Sequence, residues 1–201
     1  PFFPPEFSQL TNFLFPRICY SESMELLSTS SPHGLQLLIA PHAFQQEIVA
    51  RFTVDLALSG PVRILDGGNR FDVLRVNREL RRKERNFYPV LGRIQVARAF
   101  TCYQMAALLE RSDRAKTPTL VLNLLATFRD ENVPLPERQR LLESALCGLH
   151  SAVRGAPAMI VLHPPPAEDP FLAAVQEAVE QVWVFEAPRP PRQLSLFDHR
   201  S

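Results

Sequence analysis

Four arginines in the first half of the chain are spaced so that one helix face can present them together. Val73, Val76 and Leu80 fall on another face of the same helix, as expected for a helix with one buried side. Guanidinium groups placed in this way can hold the phosphates of a nucleic-acid backbone or an acidic partner. The alternative is a charged face that contacts only water. The four residues are Arg75, Arg78, Arg82 and Arg85.

The histidines and cysteines do not predict a metal site. His42, His150 and His163 are far apart in the sequence, and none has a Cys, Asp or Glu at the spacing of a metal ligand. The 3 cysteines are odd in number, widely separated and without a Cys-x-x-Cys pair. We therefore expect no metal site, and a reducing cytosol as the compartment.

The composition predicts one folded domain with short extensions. The chain has 201 residues, of which 46% are hydrophobic and 21% charged, which is ordinary for a globular protein. The net charge of +1 excludes a strongly basic protein, so any DNA contact has to be local and weak overall. No apolar run is long enough to span a bilayer, and we expect no membrane association. Most of the 19 prolines gather at 1–16, 164–170 and 188–191.

Short apolar runs alternate with helical patterns along the chain. This alternation predicts an α/β fold in which a mostly parallel β-sheet is flanked by helices on both faces. Nearly continuous apolar runs are typical of strands that are buried on both sides. The predicted strands are 35–40, 62–65, 94–97, 120–124, 158–163 and 182–185.

The helices between these strands have recognisable boundaries. Apolar residues at helical spacing over 44–56 predict a helix that Gly60 ends in a left-handed conformation. Thr101 and Gln104 have the spacing of a capping box ahead of another helix. Prolines begin two further helices, Pro136 and Pro170.

With the elements in this order, several strings resemble the RecA/RadA recombinase superfamily. The most specific is VARAFTCYQMAALLE at 96–110, which is similar to a recombinase strand with an Ala-Arg-Ala-aromatic run and the helix that follows it. The resemblance implies a RecA-like core over 24–187, a Pro/Phe-rich arm over 1–23 and a flexible tail over 188–201. The supporting strings are LLSTSS at 26–31, RILDGGNRFD at 63–72, LVLNLLATFRD at 120–130, PERQRLL at 136–142 and AMIVLHP at 158–164.

The chain departs from the recombinase pattern at the phosphate loop. In the family a glycine-rich loop ending in Gly-Lys-Thr follows the first core strand, because backbone amides and one Lys surround the phosphates while a hydroxyl binds magnesium. The corresponding stretch here is APHAFQQE at 40–47. The alignment places Gln45 at the second glycine, Gln46 at the Lys and Glu47 at the Thr. The Lys charge is lost, and we expect the Glu47 carboxylate to face the phosphate site.

Two further catalytic positions also differ from the family. Gly68 stands where the family has the Glu that activates water, and Asn123 stands where it has an Asp that orders magnesium. The resemblance therefore implies a pseudo-ATPase without catalytic residues that binds neither ATP nor Mg²⁺. Three alternatives remain: an unrelated α/β sheet, nucleotide binding without hydrolysis, and an ATPase with an atypical phosphate loop.

The loops that hold single-stranded DNA in recombinases are poorly matched. They follow the fourth and fifth strands and correspond here to 127–135 and 164–170. Arg129 is the only basic residue in the first loop, and the second is short, acidic and rich in proline. The sequence therefore argues against strand exchange by this chain alone.

The C-terminal tail contains the second specific resemblance. Residues 193–197 are similar to the peptide with which bacterial polymerases and repair proteins dock on the β sliding clamp. Gln193 can hydrogen-bond at the rim of a cleft that Leu194, Leu196 and Phe197 fill, with Ser195 between the anchors. The alternative is a last β-strand. Prolines before the peptide favour an extended spacer.

Together these features predict a non-catalytic RecA-like accessory protein in bacterial DNA repair, recombination or translesion synthesis. It resembles the accessory proteins that accompany mutagenic polymerases. We expect it in the cytoplasm near the nucleoid, with the β clamp and a RecA-like or polymerase protein as partners. In recombinases a Phe from such an arm inserts into the next subunit, which suggests association through residues 1–23. The alternatives are a DNA-dependent ATPase or recombination mediator, and an assembly subunit unrelated to DNA.

Overall fold

The computed structural model describes residues 34–111, 117–164, 166 and 168–185. The predicted arm over 1–23 and the tail over 188–201 lie outside these residues. The elements, in chain order, are β1 (Leu35–Ile39), α1 (His42–Ser59), β2 (Val62–Asp66), α2 (Val73–Lys83), α3 (Tyr88–Leu91), β3 (Ile94–Arg98), α4 (Cys102–Glu110), β4 (Thr119–Leu122), α5 (Leu124–Phe128), α6 (Leu135–Val153), β5 (Ala158–Leu162), α7 (Leu172–Glu177) and β6 (Gln181–Val184).

All six strands form one parallel sheet in the order β3-β2-β4-β5-β1-β6. The sequence prediction of an α/β fold with a parallel sheet is confirmed. Each predicted strand lies within two residues of an observed one. The four interior strands are almost entirely buried, because helices cover both faces and leave no side of these strands for polar side chains.

Two hydrophobic clusters hold the helices against opposite faces of the sheet. Successive residues of a strand point to opposite sides, so Leu37 belongs to one cluster and Leu38 to the other. Residues of α1, α2 and α3 pack on the Leu38 side, and residues of α4, α5, α6 and α7 pack on the Leu37 side. Within the part of the chain that the structure describes, no helix is both long and apolar enough to cross a membrane.

The connections create three crevices at the carboxyl edge of the sheet. After β1 and β2 the chain turns to the layer of α1 to α3, and after β3, β4 and β5 it turns to the opposite layer. Neighbouring strands therefore send the chain to opposite faces at three places, between β3 and β2, between β2 and β4 and between β5 and β1. Such switch points are where open α/β sheets commonly bind ligands.

Most helix boundaries agree with the predictions, and the cap at Thr101 is confirmed, although the Gln104 side chain bonds the amide before Thr101 rather than that of Thr101 itself. Its hydroxyl accepts a hydrogen bond from the Gln104 amide at 3.2 Å, and the Gln104 side chain accepts one from the Phe100 amide at 2.8 Å. The left-handed ending at Gly60 is wrong. This residue is extended, with φ at 172°, which any residue can adopt.

Two predictions about the arginine helix are also wrong. Val73 is 50% exposed rather than buried, because it is the first residue of α2 and lies before the turn that packs on the sheet. Arg85 does not share the helix face, because α2 ends at Lys83 and the capping residue Glu84 is extended. Arg75, Arg78 and Arg82 remain together on the helix.

Candidate functional site

The crevice between β2 and β4 contains a small cavity with polar residues from three elements. Gln45 and Gln46 come from the first turn of α1, Arg70 from the loop after β2, and Asn123 from the end of β4. The cavity measures about 10 Å³, which is the space one water molecule needs. The structure thus brings together three of the five residues assigned to the degenerate nucleotide site, but in a space far smaller than a nucleotide.

Two amide groups in this cavity have no hydrogen-bond partner among the residues that the structure describes. They are Nε2 of Gln45 and Nδ2 of Asn123, on residues only 4% and 6% exposed. Asn123 has a left-handed backbone with φ at 49°, a conformation that Asn tolerates better than most residues. Unpaired buried donors cost free energy, so the cavity suits a water or another small hydrogen-bond acceptor.

Asp66 holds the conformation of the loop after β2, which lines this crevice. Its carboxylate is fully buried and accepts three backbone hydrogen bonds, from Gly68 at 3.2 Å, Arg70 at 3.1 Å and Phe71 at 3.0 Å. The guanidinium of Arg98 lies 3.8 Å from the same carboxylate. Asp66 therefore fixes the loop and is not free to act as a base.

The two glycines after Asp66 allow the loop to approach β4 closely. A Cβ on Gly67 would lie 2.7 Å from the Met105 methyl and 3.0 Å from the Asn123 carbonyl. A Cβ on Gly68 would lie 2.8 Å from Cβ of Asn123. At the position that the resemblance assigns to a catalytic Glu, the loop after β2 therefore packs directly on the end of β4.

Glu47 does not face the cavity, contrary to the sequence expectation. Its carboxylate pairs with Arg51 one helical turn further along α1, and it lines a separate groove that α1 forms with α2. Residues 45 and 47 on a helix point in different directions, because each residue advances about 100° around the axis at 3.6 residues per turn. Matching the sequence to the recombinase pattern could not reveal this difference, because it does not show in which direction each side chain points.

The second crevice, between β5 and β1, contains a histidine pair. The rings of His42, at the start of α1, and His163, after β5, have centroids 5.1 Å apart at an angle of 49°. Partial burial is the main cause that lowers the pKa of His163. The nearby charges of His42, Arg70 and Arg129 lower it further, whereas a backbone hydrogen bond with Ala40 raises it. The surroundings of His163 thus favour its neutral imidazole more than water does.

The lowered pKa of His163 predicts a pH dependence of stability. A group with a lower pKa in the folded state binds protons more readily when unfolded, so its contribution is complete above about pH 6.5 and is lost as the pH falls towards the folded value. We expect the free energy of unfolding to decrease below pH 6.5 in urea titrations, and the decrease to be smaller in His163→Gln. His150→Gln, which changes an exposed histidine of α6, should keep the wild-type profile. Identical profiles for both variants would contradict the assignment.

The comparisons with known proteins do not identify a relative. No family model matches the chain, and no curated protein matches it. The RecA/RadA resemblance therefore rests on the strings and the fold described above.

The other predicted site residues lie apart from the cavity or outside the described part of the chain. Arg129, the basic residue of the loop after β4, donates to Asp169 at 3.0 and 2.6 Å. The clamp peptide at 193–197 lies outside the described residues. Among the residues that the structure describes, no group of three or more His, Cys, Asp or Glu side chains could hold a metal ion.

Two residues and one contact of the site were not predicted from the sequence. Asp66 could have been found, because an Asp followed by Gly-Gly-Asn at the end of an apolar run is a turn signal. Arg70 and the contact between His42 and His163 could not. They depend on which strand ends become neighbours, and this order was not predicted.

Proposed function

We propose that this chain is a non-catalytic RecA-like accessory protein in bacterial DNA repair, recombination or translesion synthesis. It acts as an adaptor that binds a RecA-like or polymerase partner through its body and the β sliding clamp through residues 193–197. It works in the bacterial cytoplasm, near the nucleoid, and needs neither ATP nor Mg²⁺.

The carboxyl edge of the sheet is the observation that carries this proposal. Phosphoryl transfer depends on positioned cations and a base. In the cavity between β2 and β4, the positions that the resemblance assigns to the phosphate-loop Lys and the magnesium Asp hold the neutral side chains of Gln46 and Asn123, beside Arg70 and Asp72. Gly68 is packed against Asn123, and a volume of about 10 Å³ leaves no room for a triphosphate. A RecA-like fold with this edge is better suited to binding other proteins than to hydrolysis.

An open sheet edge supports a partner on the body of the domain. Among the described strands β3 pairs only with β2, so its other side offers unpaired main-chain groups to an extended segment of a partner. Exposed apolar side chains lie at or just after this strand, Val96, Phe100 and Tyr103. Main-chain pairing with apolar anchors is a common way to bind a peptide.

One observation favours the second candidate, a DNA-dependent ATPase or recombination mediator with an atypical phosphate loop. Because Glu47 pairs with Arg51 and lies outside the cavity, its carboxylate does not repel a phosphate there. Arg70 at the rim would supply a positive charge. Titration calorimetry with ATP and Mg²⁺ separates this candidate from the adaptor.

The clamp peptide is tested by changing its two apolar anchors. We expect the double variant Leu196→Ala, Phe197→Ala to bind an immobilised bacterial β clamp about 30-fold more weakly than the unchanged chain, since loss of hot-spot anchors costs about 2 kcal/mol or more. Surface plasmon resonance gives the two dissociation constants directly.

The matched control removes the same two residue types elsewhere on the surface. Leu74 and Phe100 are 75% and 69% exposed, and the double variant Leu74→Ala, Phe100→Ala should bind the clamp as the unchanged chain does. Equal affinity of the tail variant and the control would show that residues 193–197 are not the clamp contact. Equal melting temperatures verify that all variants are folded.

A further inference from the structure

A charged groove lies between α1 and α2, on the layer of the sheet that covers the Leu38 side. Its volume is about 210 Å³, some twenty times that of the cavity at the strand ends. Four of the six charged side chains that line it are arginines, so the groove has an excess of two positive charges. The lining residues are Glu47, Arg51, Arg75, Arg78, Glu79 and Arg82.

The two carboxylates of this groove are already engaged by neighbours on their own helices. Glu47 pairs with Arg51, and Glu79 pairs with Arg82 at 2.8 Å. Arg75 lies 3.7 Å from the Asp72 carboxylate. Arg78 also lines the groove and has no ion-pair or hydrogen-bond partner among the described residues. Its guanidinium therefore keeps five donors available in a planar fork, which suits phosphate oxygens.

The positive charge continues beyond the groove. Residues 75–85 contain 6 basic and 2 acidic side chains, a local charge of +4 in a chain with a net charge of +1. The remainder of the chain is therefore slightly acidic. A local excess of this kind attracts polyanions at low ionic strength, although the whole protein is nearly neutral.

An aromatic platform adjoins the basic end of α2. The guanidinium of Arg81 lies 4.8 Å from the centroid of the Phe87 ring. The ring of Phe87 stacks on that of Tyr88, with centroids 4.4 Å apart and planes at 26°. Tyr88 is 72% exposed, so its outer face is open to a further flat ring. Basic grooves combined with exposed aromatic rings are typical of proteins that bind single strands.

We infer that this groove binds single-stranded nucleic acid, with the backbone along α2 and a base stacked on Tyr88. Arg75 and Arg82 are seven residues apart, which corresponds to about 10 Å along a helix, so the arginines of α2 can contact more than one phosphate of the strand. An acidic peptide would satisfy the arginines but would not use the aromatic platform.

This inference goes beyond the adaptor function and does not depend on the clamp peptide. The groove also differs from the two loops that the recombinase resemblance associates with DNA. Those loops lie beside α5 and α7, on the opposite layer, and Arg129 in the first of them is bonded to Asp169. The new site is therefore assigned from the charges and rings of α1, α2 and α3 alone.

The experiment measures fluorescence anisotropy of a labelled oligothymidylate with the full chain at several salt concentrations. We expect Arg78→Ala, Arg82→Ala to bind at least about 10-fold more weakly at low salt, and the slope of log K against log[salt] to fall by about 1.4, since each phosphate contact contributes about 0.7 for single strands. Tyr88→Ala should lose about 10-fold, within the range for stacking of one base.

A charge-matched control distinguishes the groove from general electrostatics. Arg140 and Arg154 are exposed on and just after α6, on the opposite layer, and Arg140→Ala, Arg154→Ala should bind within about twofold of the wild type because it leaves the groove intact. Arg78→Gln removes the charge but keeps a polar side chain, for the case in which the double variant has a lower melting temperature. Three results would each overturn the proposal. They are equal losses of affinity in both double variants, absence of oligonucleotide binding at low salt, and displacement of the oligonucleotide by polyglutamate at equal charge concentration. Clamp binding by the groove variants should be unchanged, so failure of this inference and failure of the adaptor function are separate results.

Discussion

Replacing Asp66 with alanine is expected to lower the free energy of unfolding by about 3 kcal/mol. The carboxylate is fully buried and accepts hydrogen bonds from the amides of Gly68, Arg70 and Phe71. Alanine leaves these amides without an acceptor and removes the negative charge beside Arg98. Since domains of this size are stable by only about 5–15 kcal/mol, the loss should be evident in urea denaturation followed by circular dichroism.

A surface aspartate provides the control for this prediction. Asp55 pairs with Lys83 and its side chain is 48% exposed, so Asp55→Ala should cost less than about 1 kcal/mol. Asp66→Asn should be intermediate, because one oxygen can still accept while the new amide opposes the Phe71 N–H. If Asp66→Ala and Asp55→Ala were equally stable, the carboxylate would not be what holds the loop.

The fold could be predicted from the sequence because its strands are buried on both sides. The run at β5 is apolar at every position and that at β4 is apolar after Thr119, and this continuity distinguishes a covered parallel strand from one that faces water. The helices were predicted from a different regularity, the spacing of apolar residues. The errors in the fold lie at the ends of elements. At Val73 and Arg85 the apolar and basic patterns continue, but the helix does not begin or end where they do.

The contacts of the site could be predicted only in part. Gln45, Gln46 and Asn123 were predicted to lie together because the resemblance of short strings to recombinases assigns them to one nucleotide site, and the structure brings them to one cavity. The orientation of Glu47 was not predicted, because its direction depends on competition between the cavity and the guanidinium of Arg51 one turn away. The sequence pattern of a helix gives the spacing of its charges but not the groove into which each one turns.

Replacing Gly68 with glutamate tests whether the chain could regain the base that the recombinase resemblance assigns to this position. We expect a loss of about 2–3 kcal/mol in unfolding free energy and no ATP hydrolysis, because the new Cβ would meet Cβ of Asn123 at 2.8 Å and its amide nitrogen at 3.1 Å. The backbone of Asn123 cannot move freely, since its main-chain N–H donates to the carbonyl of Val161 at 2.8 Å. Overpacking at this point separates the loop after β2 from the end of β4.

Two matched variants separate this steric cause from the added charge. Gly60→Glu introduces the same side chain at a position where a Cβ meets nothing within 4 Å, and it should change stability by less than about 0.5 kcal/mol. Adding Asn123→Gly to Gly68→Glu removes the opposing Cβ, and glycine adopts the left-handed backbone of residue 123 without strain, so the double variant should recover part of the loss. If Gly68→Glu were as stable as Gly60→Glu, or hydrolysed ATP, the loop would have room for a catalytic carboxylate, and the absence of a base could no longer be attributed to packing.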